Sequence, residues 1–136
     1  MNCFNGSEYL KEAIESVIVQ TFQRWELIFW DNRSTDSSAT IVKGFSDTRI
    51  RYFLADRHTT LGEARELARK KAKGEWIAVL DVDDYWLRNN LEAKIRVQVR
   101  PDVGLIYSRF LFDRTAIEEN SFVSPKQKIM DDGNIY

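Results

Sequence analysis

Short apolar runs with the character of β-strands alternate along this chain with segments whose apolar residues recur at helical spacing. The strand-like runs cover residues 25–30, 49–54 and 74–80, and residues 1–6 read as the end of a further strand and its turn. Residues 7–18, 39–45, 61–72 and 89–99 instead place apolar side chains three and four positions apart, which is typical of amphipathic helices. The alternation predicts an α/β fold, with a Rossmann-like, mostly parallel sheet and helices on both faces.

Polar residues at the ends of these segments indicate where the helices begin. Ser7 is the expected N-cap of the first helix, and Asn89 or Asn90 is the expected cap of the last. Residues 103–107 and 110–112 are short strand candidates, and no element is predicted beyond Thr115.

Length, charge and cysteine content restrict the class of protein. At 136 residues the chain has room for one domain. Its 20 Lys and Arg residues nearly balance its 21 Asp and Glu residues, which argues against binding nucleic acid through a basic surface. The single cysteine, Cys3, excludes an internal disulfide, and we expect it to be a small buried residue. No apolar run approaches the roughly 18 residues of a membrane-spanning helix.

Three carboxylates, Asp81, Asp83 and Asp84, follow directly after the strand-like run at residues 74–80. Ligands of open α/β sheets bind beyond the carboxyl ends of strands, so acids at this place suit a ligand rather than the core. Asp31 ends the run at residues 25–30 in the same way, and we expect both groups of acids at one cleft. In an extended chain the side chains of Asp81 and Asp83 point to the same side. This arrangement would allow one carboxylate to bind a hard divalent cation and the other to bind a sugar hydroxyl.

The acid cluster by itself has two other interpretations. Acids after a strand also occur in simple turns and at helix N-caps, and the cluster alone leaves this interpretation open. A calcium-binding loop does not fit, because Tyr85 and Trp86 stand where such a loop needs a ligand oxygen and a glycine.

Several groups of residues, matching in order and spacing, resemble a known family: 2–6, 9–10, 12–14, 16–17, 20–22, 25–28, 31–36, 61–65 and 74–84. Together they resemble the nucleotide-sugar half of a family-2 glycosyltransferase with the GT-A fold. Each motif alone is weak, but the ordered combination is specific and covers about residues 2–95.

The resemblance implies an inverting transfer of a sugar from a nucleoside-diphosphate donor, most simply a UDP-sugar. The acceptor would be a hydroxyl in glycan or cell-surface polysaccharide synthesis, and Mg²⁺ or Mn²⁺ would bind the diphosphate. By the match, Asp83 is the metal ligand of an Asp-x-Asp motif. Asp81 lies near the ribose and diphosphate and is the second candidate metal ligand.

The same resemblance implies roles for four further residues. Asp31 matches an acid that contacts the base or ribose, and Arg65 matches a residue that lines the nucleotide pocket. Asp84 is expected to contact the sugar or to support the metal site, and Asn5 lies where the backbone passes under the base.

The family's pattern is incomplete in this chain. Asn32 stands where the family often has a second acid, so base recognition would rest on Asp31 alone. The central strand is present only as a stub before Asn5, which would leave its neighbours short of hydrogen-bond partners. The family's general base falls after residue 136, and His58 lies in a polar loop without an evident partner. No catalytic residue is therefore assigned.

We expect one GT-A-like domain fragment, with a nucleotide-sugar-binding half at residues 1–100 and the start of an acceptor-side region at 101–136. It would bind nucleotide and metal without completing transfer. The expected partners are a nucleotide-sugar donor and a glycan or lipid-linked acceptor, not nucleic acid. The expected location is the cytoplasm, with peripheral association of the full-length protein at the inner face of a membrane left open. The alternative function is a non-catalytic nucleotide- or metal-binding module on the same scaffold.

Overall fold

The structure is a computed structural model that describes residues 1–98 of the chain. Contacts divide the chain into two units, Met1–Ala93 and Lys94–Tyr136, and only residues 94–98 of the second are described. The predicted division near residue 100 stays a prediction. The strand candidates at 103–107 and 110–112 and the acceptor-side region at 101–136 lie outside the described residues.

The described elements alternate as the sequence predicts, except at one strand. The strands are β1 (Asn2–Cys3), β2 (Leu27–Asp31) and β3 (Ile50–Leu54). The helices are α1 (Leu10–Ile18), α2 (Ser38–Lys43), α3 (Leu61–Arg69) and α4 (Asn90–Gln98). Within residues 1–98 no helix has the length and apolar character needed to cross a membrane.

The three strands form a parallel sheet in the order β1-β2-β3. β1 pairs Asn2 with Trp30 and Cys3 with Asp31, and β3 pairs with β2 over its whole length. The carboxyl ends of β1 and β2 therefore meet at one edge of the sheet, and the predicted parallel α/β fold is confirmed.

Alternate residues of β2 face two different helical layers. Phe29 is fully buried in a cluster with Leu10 of α1 and Val42 of α2. Trp30 lies in the opposite cluster with Ala64 of α3. Successive side chains of a strand point to opposite faces, so β2 carries both halves of the core, and the prediction of helices on both faces is confirmed.

The strand predicted at residues 74–80 is wrong, because no strand among residues 1–98 pairs with this segment. It lies after α3 without strand structure, and no backbone hydrogen bond joins it to another strand among the described residues. Trp76, Ile77 and Val79 are 37%, 51% and 61% exposed, whereas Leu80 is buried. β1 is only two residues long, so its free edge offers few backbone partners, and strand propensity cannot supply the missing ones.

The structure also corrects the predicted cap of α1 and one of the two predicted for α4. α1 begins at Leu10 with Tyr9 at its N-cap and no side-chain cap, and the N–H of Ser7 donates to Asp36. α4 begins at Asn90, which leaves Asn89 at the N-cap position, and Oδ1 of Asn90 is buried without a partner among the described residues.

Candidate functional site

The loop after β1 is fastened to the loop after β2 by the residues of two sequence motifs. The N–H of Asn5 donates to Oγ of Ser34 at 3.1 Å, and the N–H of Thr35 donates to Oδ1 of Asn5 at 2.7 Å. Asn5 has a φ of 54°, a left-handed conformation that asparagine tolerates better than most residues. Asn5 thus holds the two loops together, and its contact with a base stays a prediction.

Asp36 makes the second connection between these loops. Its carboxylate accepts hydrogen bonds from the N–H of Ser7 and the N–H of Ser38, each at 2.9 Å. Desolvation raises the pKa of this carboxyl, but the hydrogen bonds from Ser38 and Ser7 outweigh it and hold the pKa well below its usual range. The ionised form of Asp36 therefore stabilises the loop pair.

Asp31, predicted to contact the base or ribose, is only 1% exposed and is occupied by protein groups. One carboxylate oxygen accepts the N–H of Ser34 at 2.7 Å, and the other accepts the hydroxyl of Tyr52 at 2.6 Å. Burial, together with the bond to Asp31, raises the pKa of Tyr52 to about 12. In this structure Asp31 orders the loop after β2, and its ligand contact stays a prediction.

A cavity of about 320 Å³ opens beside β1, and we call it the β1 cavity. It lies between β1, the residue that follows β2, and the loop that leads into α3. Its lining residues are Asn2, Cys3, Phe4, Asn32, His58, Thr59, Thr60, Leu61 and Ala64. This volume falls at the lower end of the range typical of small-molecule sites. None of the site residues predicted from the sequence is among its lining residues.

His58 has partners in this cavity, which corrects the expectation that it lacks one. Its Nδ1 lies 2.9 Å from the backbone oxygen of Asn32, and its ring centroid lies 4.2 Å from that of Phe4. Phe4 is 50% exposed, so the aromatic pair offers an apolar surface at the cavity. These contacts join residues more than 20 positions apart, and no local signal in the sequence predicts them.

Asn32 is held rigidly at the wall of the cavity. Its Nδ2 donates to the backbone oxygen of Thr59 at 2.8 Å, and its Oδ1 accepts the N–H and the hydroxyl of Thr59, each at 3.0 Å. The side chain is 5% exposed and joins the end of β2 to the loop before α3. Sequence reasoning noticed Asn32 only as a departure from the family's pattern.

Residues 81–84, which we call the acid segment, lie beside helix α3. Nη2 of Arg65 binds both oxygens of Asp81, at 2.9 and 3.1 Å, so two predicted site residues are in contact. Val82 packs against the cluster that contains Cys3. Because Cys3 pairs with Asp31, the acid segment and the end of β2 meet at β1.

The three carboxylates of the acid segment differ in their surroundings. Asp83 and Asp84 are exposed, whereas Asp81 is half-buried. Desolvation, followed by the nearby charges of Asp83 and Asp81, raises the pKa of Asp84. The carboxylates therefore repel one another, and a bound cation would relieve that repulsion.

A buried glutamine at the end of α1 holds the chain that follows the acid segment. Gln20 is fully buried, and its Nε2 donates to the backbone oxygens of Ser16 and Leu87 at 2.9 and 2.8 Å. Its Oε1 accepts the N–H of Leu91 at 3.0 Å, which supplies a side-chain acceptor in the first turn of α4. Oγ of Ser16 also accepts the N–H of Trp86 at 3.1 Å. Sequence reasoning missed this role, although both residues belong to the motifs that carry the resemblance.

Comparison with known proteins gives these residues a context. The model of "Glycosyl transferase family 2" matches residues 1–127. The chain is 32% identical over 127 residues to the Escherichia coli UDP-Glc:alpha-D-GlcNAc-diphosphoundecaprenol beta-1,3-glucosyltransferase WfgD, covering 93% of the chain and 50% of that protein. It is 30% identical to the E. coli glucosyltransferase WfaP over 124 residues, which cover 91% of the chain and 49% of WfaP.

The fold is also similar to solved structures of S. aureus TarS. In complex with UDP-GlcNAc, TarS aligns with a TM-score of 0.67 and 25% identity over 70% of this chain and 28% of TarS. The complex of TarS 1–349 with UDP aligns with a TM-score of 0.66, also at 25% identity. The chain thus spans about half the length of the curated relatives and less than a third of the TarS chains. Because the family model matches nearly the whole sequence, the chain belongs to glycosyl transferase family 2 and has an α/β fold of the GT-A type.

Proposed function

We propose that this chain is the donor-binding part of an inverting glycosyltransferase that uses a nucleoside-diphosphate sugar, most simply a UDP-sugar. The observation that carries the proposal is the placement of the acid segment next to the β1 cavity. Ala64 lines the cavity, and the adjacent Arg65 binds Asp81. A ligand with a flat base at one end and a diphosphate at the other would reach both places.

We assign the base to the β1 cavity and the diphosphate to the acid segment. Phe4 and His58 offer ring surfaces, on which a base gains contact area through stacking. Support for a uridine nucleotide comes from TarS, which was solved with UDP and with UDP-GlcNAc, and from the UDP-Glc in the name of WfgD.

The acid segment fits a divalent cation only in part. Within residues 1–98 no group of three or more His, Cys, Asp or Glu side chains is arranged to hold a metal ion. Carboxylate oxygens nevertheless suit Mg²⁺ or Mn²⁺, and such ions commonly take one or two carboxylates together with phosphate and water. We propose Asp83 and Asp81 as the protein ligands, with Asp84 nearby. The ion would supply positive charge to the departing diphosphate.

The acceptor would be a hydroxyl of a glycan or a lipid-linked sugar. WfgD is named for an acceptor carried on diphosphoundecaprenol, and a comparable acceptor for this chain is our proposal. It would place the protein in the cytoplasm, at the inner face of a membrane. No nucleic acid is expected to bind.

Titration calorimetry with UDP tests the donor site. We expect UDP to bind the 136-residue chain more tightly with Mn²⁺ than with a chelator, and Asp83→Asn to abolish this difference. Asp56→Asn is the control, since Asp56 is an exposed acid in the loop before α3. Equal affinity of the unmodified chain for UDP with Mn²⁺ and with chelator would contradict the proposed metal role.

Incubation with a radiolabelled UDP-sugar separates the enzyme from the non-catalytic module. Hydrolysis or transfer of the sugar that is lost in Asp83→Ala supports the glycosyltransferase. Tight binding of the labelled donor without turnover supports the module instead.

A further inference from the structure

The contacts of His58 fix which of its ring nitrogens carries the proton. Nδ1 lies 2.9 Å from the backbone oxygen of Asn32, and a carbonyl oxygen can only accept a hydrogen bond. Nδ1 is therefore the donor. In the neutral imidazole Nε2 then keeps its lone pair and remains a hydrogen-bond acceptor.

Other side-chain acceptors near the cavity already bind protein donors. Both oxygens of Asp31 accept protein hydrogen bonds, and Asp31 is 1% exposed and does not line the cavity. Oδ1 of Asn32 accepts two donors from Thr59, and the orientation of this amide is fixed because the backbone N–H of Thr59 can only donate. Thr60, at the N-cap of α3, accepts the N–H of Glu63 through its hydroxyl.

We propose that His58 is a specificity-determining residue whose Nε2 accepts the N3–H of a uracil base bound in the β1 cavity. This inference rests on the proposed function, because it needs a uridine nucleotide in that cavity. Asn32 stands where the family often has a second acid, and its oxygen already accepts two donors from Thr59, so the acceptor for the imide N–H is another residue of the cavity. His58 is oriented for this by the Asn32 carbonyl on one side and by the ring of Phe4 on the other.

The same geometry explains why a carboxylate is not required at position 32. Nδ2 of Asn32 has two protons, and only one donates to the oxygen of Thr59. The second proton is available for a base carbonyl next to the imide. Nε2 of His58 would accept the N3–H of uracil, and Nδ2 of Asn32 would donate to the adjacent O4; the two residues are in contact in space.

The test compares UDP with 3-methyl-UDP, in which the N3 proton is replaced by a methyl group, as ligands of the 136-residue chain with Mn²⁺. We expect the chain to bind UDP at least about tenfold more tightly than 3-methyl-UDP. The methylated base would lose the hydrogen bond to Nε2, and its methyl group would clash with the ring of His58. His58→Phe should weaken UDP binding about tenfold and abolish the preference. His58→Gln, which can place an amide oxygen near the position of Nε2, should restore part of the preference. Arg57→Gln is the matched control, because Arg57 is the exposed neighbour of His58 and pairs only with Glu63 among the described residues.

His58 is the only histidine in the sequence, so nitrogen NMR of histidine-labelled protein reports on it alone. We expect the Nδ1–H form in the free protein and a change at Nε2 on addition of UDP. If UDP binds but His58→Phe retains the full preference, or if the Nε2–H form is found, the role of His58 is overturned and the donor site stands. If UDP does not bind the unmodified chain, the proposed function fails together with this inference.

Discussion

Nη2 of Arg65 lies 2.9 Å from Oδ1 of Asp81, which binds helix α3 directly to the acid segment. The two side chains are 42% and 45% exposed, so the pair contributes no more than about 1 kcal/mol to stability. Its importance lies in position, because Arg65 directly follows Ala64 of the β1 cavity. The pair therefore fixes one carboxylate at the side of the cavity.

Arg65→Gln should weaken UDP binding in the presence of Mn²⁺ by about fivefold or more, because Asp81 would lose its fixed position and a nearby positive charge would be removed. The free energy of unfolding should change by less than about 1 kcal/mol. Calorimetry and urea unfolding measure the two effects. Arg69→Gln is the control, since Arg69 is also ion-paired on α3, at 2.7 Å to Glu66. Equal loss of affinity in both variants would argue against a role for Arg65 at the site.

Gln20→Met should destabilise the protein by about 2 kcal/mol or more, because the part-buried backbone oxygen of Leu87 and N–H of Leu91 would lose the fully buried Gln20 amide as their partner. UDP affinity should fall as well, since the chain after the acid segment would no longer be held to α1. Urea unfolding and calorimetry test this. Gln23→Met changes an exposed glutamine of the same segment and should lower the free energy of unfolding by clearly less than Gln20→Met does. A Gln20→Met variant as stable as the unmodified chain would contradict the role of Gln20.

Asp36 should make stability depend on pH in the acid range. Its pKa in the folded protein lies below the usual value of 3.8, so its contribution is fully present above about pH 5 and is lost as pH falls toward the folded-state pKa. Asp36→Asn should therefore be less stable than the unmodified chain at pH 7, with the difference shrinking below about pH 4. Urea unfolding from pH 3 to pH 7 measures the difference. A difference that is constant across this range would show that the charge of Asp36 is unimportant.

Tyr52→Phe should reduce the free energy of unfolding by about 1–3 kcal/mol, because one oxygen of the buried Asp31 would lose its only side-chain donor among the described residues. Tyr85→Phe, at an exposed tyrosine, is the control for loss of a hydroxyl. In a spectroscopic titration the signal of Tyr52 should appear near pH 12, and it should be missing from the variant. Ionisation of all five tyrosines in one step near pH 10 would contradict the buried contact.

The candidate site was partly visible in the sequence. Asp81 and Arg65, both predicted from motifs, do meet in the structure. Asp31 and Asn5 also came from motifs, but the structure uses them to fasten loops. A motif marks which residues are needed, and it does not distinguish a residue that touches a ligand from one that holds its neighbours in place.

The sequence by itself determined the alternation of strands and helices and the two faces of β2. These follow from the spacing of apolar residues, which is a local property of the chain. The tertiary structure alone decided that residues 74–80 pair with no strand in the described part of the chain, that Gln20 holds residues 87 and 91, and that His58 contacts Asn32 and Phe4. Each of these depends on a hydrogen-bond or ring partner from a distant part of the chain, because buried polar groups must be satisfied wherever a partner lies in space.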